Sequence, residues 1–94
     1  MSDIRAALNL EPVKTTIAGF AVVITRPTIM DLIEAVQQNE ADPANARAFA
    51  IWRHLRTEDG APVFDSLEAA KRCPAHIAAE AVVKIERLYN EGRD

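Results

Sequence analysis

The sequence contains few of the residues that build catalytic or metal-binding sites. It has one cysteine, two histidines and three glycines in 94 residues. The lone Cys73 excludes a disulfide within the chain, and a zinc site requires more thiol or imidazole ligands at close spacing. So few glycines also exclude a glycine-rich phosphate-binding loop. The sequence therefore predicts no catalytic residues, no cofactor and no metal ion.

Positive charge and long apolar runs are also scarce. Eleven lysines and arginines stand against fourteen aspartates and glutamates, giving a net charge of −3, and this argues against nucleic acid as a partner. No run approaches the roughly 18 apolar residues of a membrane span, and residues 1–10 lack the basic start and apolar run of a signal peptide. Together with the lone cysteine, these features predict a cytoplasmic protein that binds neither membrane nor nucleic acid.

The balance of apolar residues indicates the fold class. Aromatic residues make up only 5% of the chain, whereas alanine is frequent, and this favours close-packed helices over a β-sandwich. A chain of 94 residues forms one domain with one modest core. We predict an α+β fold, mostly helical, in which an N-terminal β-hairpin packs on three to four helices. The single domain, 1–94, divides into an N-terminal segment (1–12), the hairpin (13–27) and a helical part (28–92).

The hairpin is predicted over residues 13–25, after a short helix over 3–10. The run is rich in β-forming residues, the pair Ala18 and Gly19 supplies the turn, and Pro27 cannot extend the ladder. Alternate side chains share a face of the hairpin: Phe20, Val22 and Ile24 on one, Ala21 and Val23 on the other.

Further helices are predicted over 28–39, 42–56, 65–72 and 74–90. Thr28 begins the first of them, with Asp31 completing a capping box. Asp42 caps the second, with Pro43 at its first position, and Asp65 caps the third. Apolar residues at helical spacing give the predicted core: Ile29, Leu32, Ile33, Val36, Ile51, Trp52, Leu55, Ile77, Ala81, Ile85 and Leu88.

Polar residues that could suggest chemistry are interpreted as solvated. Glu58 and Asp59 lie in a turn, without the cleft that acid–base catalysis needs. The last turns of the second helix carry bases that spread around the helix and form no stripe: Arg47, Arg53, His54 and Arg56. Cys73 is interpreted as a thiol near a helix start and His76 as a surface histidine.

The hairpin is the predicted surface for self-association. It is apolar on both faces, and a two-stranded ribbon has open edges that pair readily with another chain. We therefore predict a homo-oligomer, with Val23 less buried than Leu32 or Ile85. The candidate contact residues are Phe20, Val22, Val23 and Ile24 on the hairpin and Val83 and Tyr89 on the last helix.

Two short motifs and the order of the elements carry a family resemblance. The motifs are Val23–Thr28 (VITRPT), where the hairpin runs into the first helix, and Thr57–Phe64 (TEDGAPVF), an acidic turn followed by an apolar segment. Over roughly residues 10–92, the chain resembles the tail assembly chaperones of long-tailed bacteriophages. The resemblance implies a non-enzymatic protein of the infected host cytoplasm. Such proteins coat the helix-rich tape measure protein, help tail tube subunits polymerise around it, self-associate, and are absent from the mature virion.

Two other functions remain open at this point. One is a small phage-encoded DNA-binding regulator or antitoxin that uses the helices over 28–39 and 42–56 as a helix-turn-helix. A recognition helix contacts the bases through its N-terminal half. In the second helix that half runs from Pro43 to Ala46 and has few side chains that could bind to bases. The other is a small structural protein of the virion, such as a tail completion factor.

Overall fold

A three-stranded antiparallel sheet and a set of helices form this protein, in an α+β fold that is mostly helical, as predicted. The computed structural model describes residues 4–8 and 10–90; the predicted ends at residues 3 and 92 lie outside these ranges. After a 3-10 turn, Ile4–Ala7, the described elements are β1 (Val13–Ile17), β2 (Phe20–Ile24), α1 (Ile29–Ala41), α2 (Pro43–His54), β3 (Leu55–Thr57), α3 (Leu67–Ala70) and α4 (Ala75–Tyr89).

The hairpin turn forms at the predicted pair. Ala18 and Gly19 both have positive φ, 53° and 83°, as a two-residue type I′ turn requires. The turn is fastened to α4, because the Ala18 N–H donates to a Glu80 carboxylate oxygen at 3.1 Å. The ammonium of Lys84 donates to the carbonyl of Thr16 beside it. The hairpin is therefore held on the helical part at its tip.

The third strand was not predicted, and it corrects the end of the second helix. The helix predicted to reach Arg56 ends at His54, and β3 pairs antiparallel with β2 in the order β1-β2-β3. Beyond β3 the chain turns at Gly60, whose φ is 95°, and Pro62 forms an isolated bridge back to Arg56. Three residues are too short for periodicity to reveal a strand, and pairing with β2 decides the conformation.

Local signals placed most helix starts correctly. Thr28 and Asp31 form the predicted capping box, and Asp42 caps α2 with Pro43 in its first turn. For α3, Ser66 is the cap instead of Asp65, and its hydroxyl accepts from the N–H of Ala69 at 3.1 Å. The short α3 therefore begins later than predicted.

Helix α2 is the centre of the fold, since it packs against α1, α3, α4 and β3. Four consecutive residues of α2, 48 to 51, are buried, among them Phe49, which was not in the predicted core. Of the predicted core, Ile51, Leu55, Ala81 and Ile85 are buried, while Trp52, Ile77 and Leu88 are half-buried and pack against it. Ile17 and Ile24 bring the sheet into the same cluster.

The predictions about the burial of the α1 stripe and of Val23 are wrong. Ile29, Leu32, Ile33 and Val36 of α1, predicted to be core, are exposed. Val23, predicted to be less buried than Leu32, retains only 7% of its accessible surface. Val23 is buried because β3 makes β2 the central strand, so Val23 has cross-strand neighbours on both sides. Among the described residues, no helix is long and apolar enough to cross a bilayer.

Candidate partner-binding surface

The apolar stripe of α1 faces solvent. Its side chains, here called the α1 face, retain large fractions of their accessible surface: Ile29 73%, Met30 66%, Leu32 50%, Ile33 45% and Val36 52%. Large apolar side chains exposed together on one element of a soluble protein often mark a binding surface. An apolar stripe at helical spacing normally packs on the core of its own domain. The α1 face is therefore the feature that most suggests a binding surface.

Helix α1 packs on α2 through its polar and small side chains instead. Asp31 is buried, and Ala35 and Gln38 are half-buried. At 100° per residue, these three residues lie about 130–170° around the helix from the middle of the α1 face. The Asp31 carboxylate accepts from the Arg53 guanidinium of α2 at 2.9 Å and also from the Thr28 N–H at 2.9 Å. With Asp31 on the side that packs against α2, the apolar residues of α1 face outward.

A groove lies beside the α1 face, between α1 and α4. Its volume is about 450 Å³. The floor includes the small side chains Ala35, Ala46 and Ala50, while Leu32, Val82 and Tyr89 are among the wall residues. Leu32 belongs to both features, so the α1 face borders the groove at this residue.

Charged side chains lie on α1 and in the groove lining. Helix α1 contains Asp31, Glu34 and Glu40 but no lysine or arginine. Glu86 lines the groove on the α4 side, and Arg47 is the base that lines it from α2. Asp31 is paired with Arg53, whereas Glu34, Glu40 and Glu86 have no ion-pair partner among the described residues. The groove is therefore lined by one acidic and one basic side chain, while Glu34 and Glu40 are exposed on α1 outside its lining.

A buried polar network joins α2, α4 and the segment that follows β2. His54, predicted to be solvated, is fully buried. Its Nδ1 lies 2.9 Å from the Thr25 hydroxyl and its Nε2 lies 2.7 Å from the Tyr89 hydroxyl. Burial lowers the pKa of His54 to about 4, so the imidazole is neutral at pH 7. Burial likewise raises the pKa of Tyr89 to about 12. This network holds Tyr89 in place as a wall of the groove.

The candidate contact residues predicted from the sequence do not form one exposed surface. Phe20 at the start of β2 and Val83 on α4 are exposed, and Val22 and Tyr89 are half-buried. Val23 and Ile24 are buried within the domain, with 7% and 1% of their surface accessible. Their burial removes the two-sided apolar hairpin on which the prediction was based. Self-association itself stays a prediction, but its surface needs revision.

The structure also places the polar residues that were considered as possible catalytic or metal-binding groups. The pKa of Asp59 is lowered by the Thr57 hydroxyl and the Ala61 N–H, which hold it inside the turn after β3. Burial raises the pKa of Cys73, which disfavours its thiolate. Within residues 4–8 and 10–90, no three histidine, cysteine, aspartate or glutamate side chains lie together as a metal site would require.

Periodicity located the α1 stripe correctly but could not indicate the direction it faces. The same spacing of apolar residues serves for a core helix and for a helix that binds a partner. No family model, no curated protein and no solved structure matches this chain. The function is therefore argued from the surface itself and from the family resemblance.

Proposed function

We propose that this protein is a non-enzymatic tail assembly chaperone of a long-tailed bacteriophage. In this role it binds the tape measure protein in the host cytoplasm and assists polymerisation of the tail tube around it. It is then absent from the mature virion. The proposal is supported by the resemblance over residues 10–92 and by one structural observation, the outward apolar face of α1.

An exposed apolar surface on a small domain suits this role. A tape measure protein is a long helical chain that exposes apolar residues until the tube surrounds it. A small domain with one apolar groove covers a short part of that chain, and many copies together cover the whole. Weak contacts repeated along one chain gain strength through multivalency. Head-to-tail contacts between neighbouring copies give an open spiral along the client, so we also propose a homo-oligomer.

The two alternative functions receive less support. Helix α2 would be the recognition helix of a DNA-binding domain, but it is the internal helix of the fold. Its Arg53 is paired with Asp31, and its buried residues are not available to a DNA groove. No observation favours a virion structural protein over a chaperone, and the two differ in whether the protein remains in purified particles.

Co-expression with the tape measure protein of the same phage tests the proposal. We expect the wild-type protein to increase the soluble fraction of the tape measure protein several-fold. The double variant Ile29→Glu, Ile33→Glu introduces charge into the α1 face at exposed positions, so the fold is retained while the solubilisation is lost. Soluble and insoluble fractions are measured by immunoblot, and purified virions are examined by mass spectrometry for the chaperone.

The matched controls are Val83→Glu and Phe20→Glu, which place the same charge at exposed apolar positions outside the α1 face. They should leave the solubilisation unchanged. If they abolish it while the α1 variant does not, the client binds the hairpin and α4 instead. A wild-type protein that fails to keep the tape measure protein soluble refutes the chaperone function, and its presence in virions would favour the structural protein.

A further inference from the structure

A second set of exposed apolar side chains precedes the sheet. Ile4, Leu8 and Leu10 retain 76%, 68% and 62% of their accessible surface. Ile4 belongs to the short 3-10 turn, and the other two residues lie between this turn and β1. These three residues are here called the N-terminal strap. Three large apolar side chains so close together in the chain favour a position in which they are covered.

The strap leaves the sheet beside the start of α1. Val13, the first residue of β1, pairs with Ile24, the last residue of β2. The chain that enters α1 therefore leaves the same end of the sheet. The Arg26 guanidinium, two residues before the α1 cap, also donates from its Nε to the Glu11 carbonyl at 2.9 Å. The root of the strap is thus held next to the end of α1 at which the α1 face begins with Ile29.

The length of the strap matches the α1 face. From Ile4 to Leu10 there are seven residues, which span about 23 Å when extended and about 10 Å when helical. Helix α1 has 13 residues and extends about 20 Å. An extended strap therefore reaches along the whole of α1, and a helical one covers its first half. In both conformations Leu8 can reach Ile33.

The sequence pattern of the strap suits one-sided contact. Alternate side chains of an extended segment point to the same side. Ile4, Leu8 and Leu10 are separated by even numbers of residues and therefore share a side, whereas Arg5 and Glu11 lie on the other. An extended strap can thus present its apolar side chains to the α1 face and its charged ones to solvent.

We infer that the N-terminal strap folds back over the α1 face of its own chain and covers it until a client displaces it. The tether favours this contact over the same contact between two copies, since a short flexible linker gives an effective concentration of about millimolar. The structure shows the open arrangement, with both apolar surfaces exposed. The part of the inference that concerns the client rests on the proposed function, whereas closure of the strap is tested without the client.

A disulfide between the strap and α1 tests the closure. Leu8→Cys and Ile33→Cys are combined with Cys73→Ser, so that the two new thiols are the only ones. Both positions are exposed, so the fold is retained. The control carries Leu8→Cys with Phe20→Cys, since Phe20 is exposed at the far end of the hairpin, off the α1 face. We expect the first pair to form a disulfide within one chain at least about tenfold faster, because docking adds to the effective concentration of the tether.

An uncharged hydrophobic dye provides an independent measurement. The double variant Leu8→Ser, Leu10→Ser removes two exposed apolar side chains without changing the net charge. If the strap covers the α1 face, this variant should bind about twofold more dye or more, because the uncovered α1 face is the larger apolar surface. The matched control Phe20→Ser should bind no more dye than the wild type. Adding Ile33→Glu to the double variant should remove the increase.

Three results would overturn the inference. The first is equal disulfide rates for the two cysteine pairs. The second is a disulfide that joins two chains, detected by mass spectrometry of mixed isotope-labelled and unlabelled protein, because the strap then covers another copy. The third is a loss of dye binding in the serine variant, because the strap then adds to the exposed apolar surface and covers none of it.

Solubilisation of the tape measure protein separates this inference from the proposed function. We expect the serine variant to solubilise it at least as well as the wild type, since no strap has to be displaced. Poorer solubilisation would mean that the strap binds the client and does not compete with it, contrary to the inference. A wild type that solubilises the client without the disulfide within one chain contradicts only the inference. One that forms this disulfide without solubilising the client contradicts only the proposed function.

Discussion

Protonation of His54 should control the stability of this protein in mild acid. The imidazole is fully buried between the Thr25 and Tyr89 hydroxyls, and burial lowers its pKa from 6.5 to about 4. The guanidinium groups of Arg53 and Arg56 act in the same direction, and the Asp31 carboxylate opposes them. The folded protein therefore resists adding a proton that the unfolded chain accepts readily.

The direction and size of the effect follow from the two pKa values. Because the folded value is the lower one, the contribution of His54 to stability is complete above the unfolded pKa of 6.5 and is lost as the pH falls toward 4. Between about pH 8 and about pH 5 the loss should be on the order of 2 kcal/mol, a large part of the stability of a small domain. The lowered carboxyl pKa values of Asp59 and Glu80 have their effect at lower pH, below their ordinary values of 3.8 and 4.5.

Urea titrations of the wild type and two variants measure this contribution. His54→Gln keeps a polar side chain facing Tyr89 but does not titrate. We expect it to be less stable than the wild type at pH 8, yet to lose less than about 0.5 kcal/mol on going to pH 5. His76→Gln is the matched control, since His76 is exposed, and it should show the full pH dependence of the wild type.

The opposite result would refute the reasoning. If His54→Gln loses as much stability in acid as the wild type, His54 is not the group that responds to pH. If His76→Gln removes the pH dependence, the surface histidine is responsible. The comparison requires equal m-values, since a changed slope would mean that the variants unfold from a different state.

The remaining predictions concern stability and are checked by urea titration at neutral pH. Ala18→Asn should raise the free energy of unfolding by about 0.5–1 kcal/mol, since asparagine tolerates positive φ better than alanine, and a loss would mean that the turn is not type I′. Asp31→Asn should lower it by about 1–3 kcal/mol by removing the charge that binds Arg53, and no loss would show that this pair does not hold α1. Ile85→Ala should cost about 2–5 kcal/mol, because the side chain is completely buried. Leu32→Ala, at a half-exposed position, should cost less than about 1 kcal/mol, and equal costs for these two would place the α1 stripe in the core.

The sequence determined those features that depend on residues close together in the chain. The capping box of Thr28 and Asp31 and the start of α2 at Asp42 and Pro43 each involve interactions within four residues, so they could be predicted. The same holds for the turn at Ala18 and Gly19, which needs only the conformation of its own two residues.

Tertiary structure decided which surfaces are buried. The strand β3 exists because β2 offers it an edge, and this pairing buries Val23, which the sequence had suggested as a contact residue. His54 is buried because Thr25, which follows β2, and Tyr89 of α4 pack against it, although Arg53 and Arg56 lie close to it in the chain. The direction of the α1 stripe was likewise beyond the sequence, because it depends on which side of α1 packs on α2, where Asp31 pairs with Arg53. Helical periodicity gives the arc that is apolar, whereas contacts between elements distant in the chain decide whether that arc faces the core or a partner.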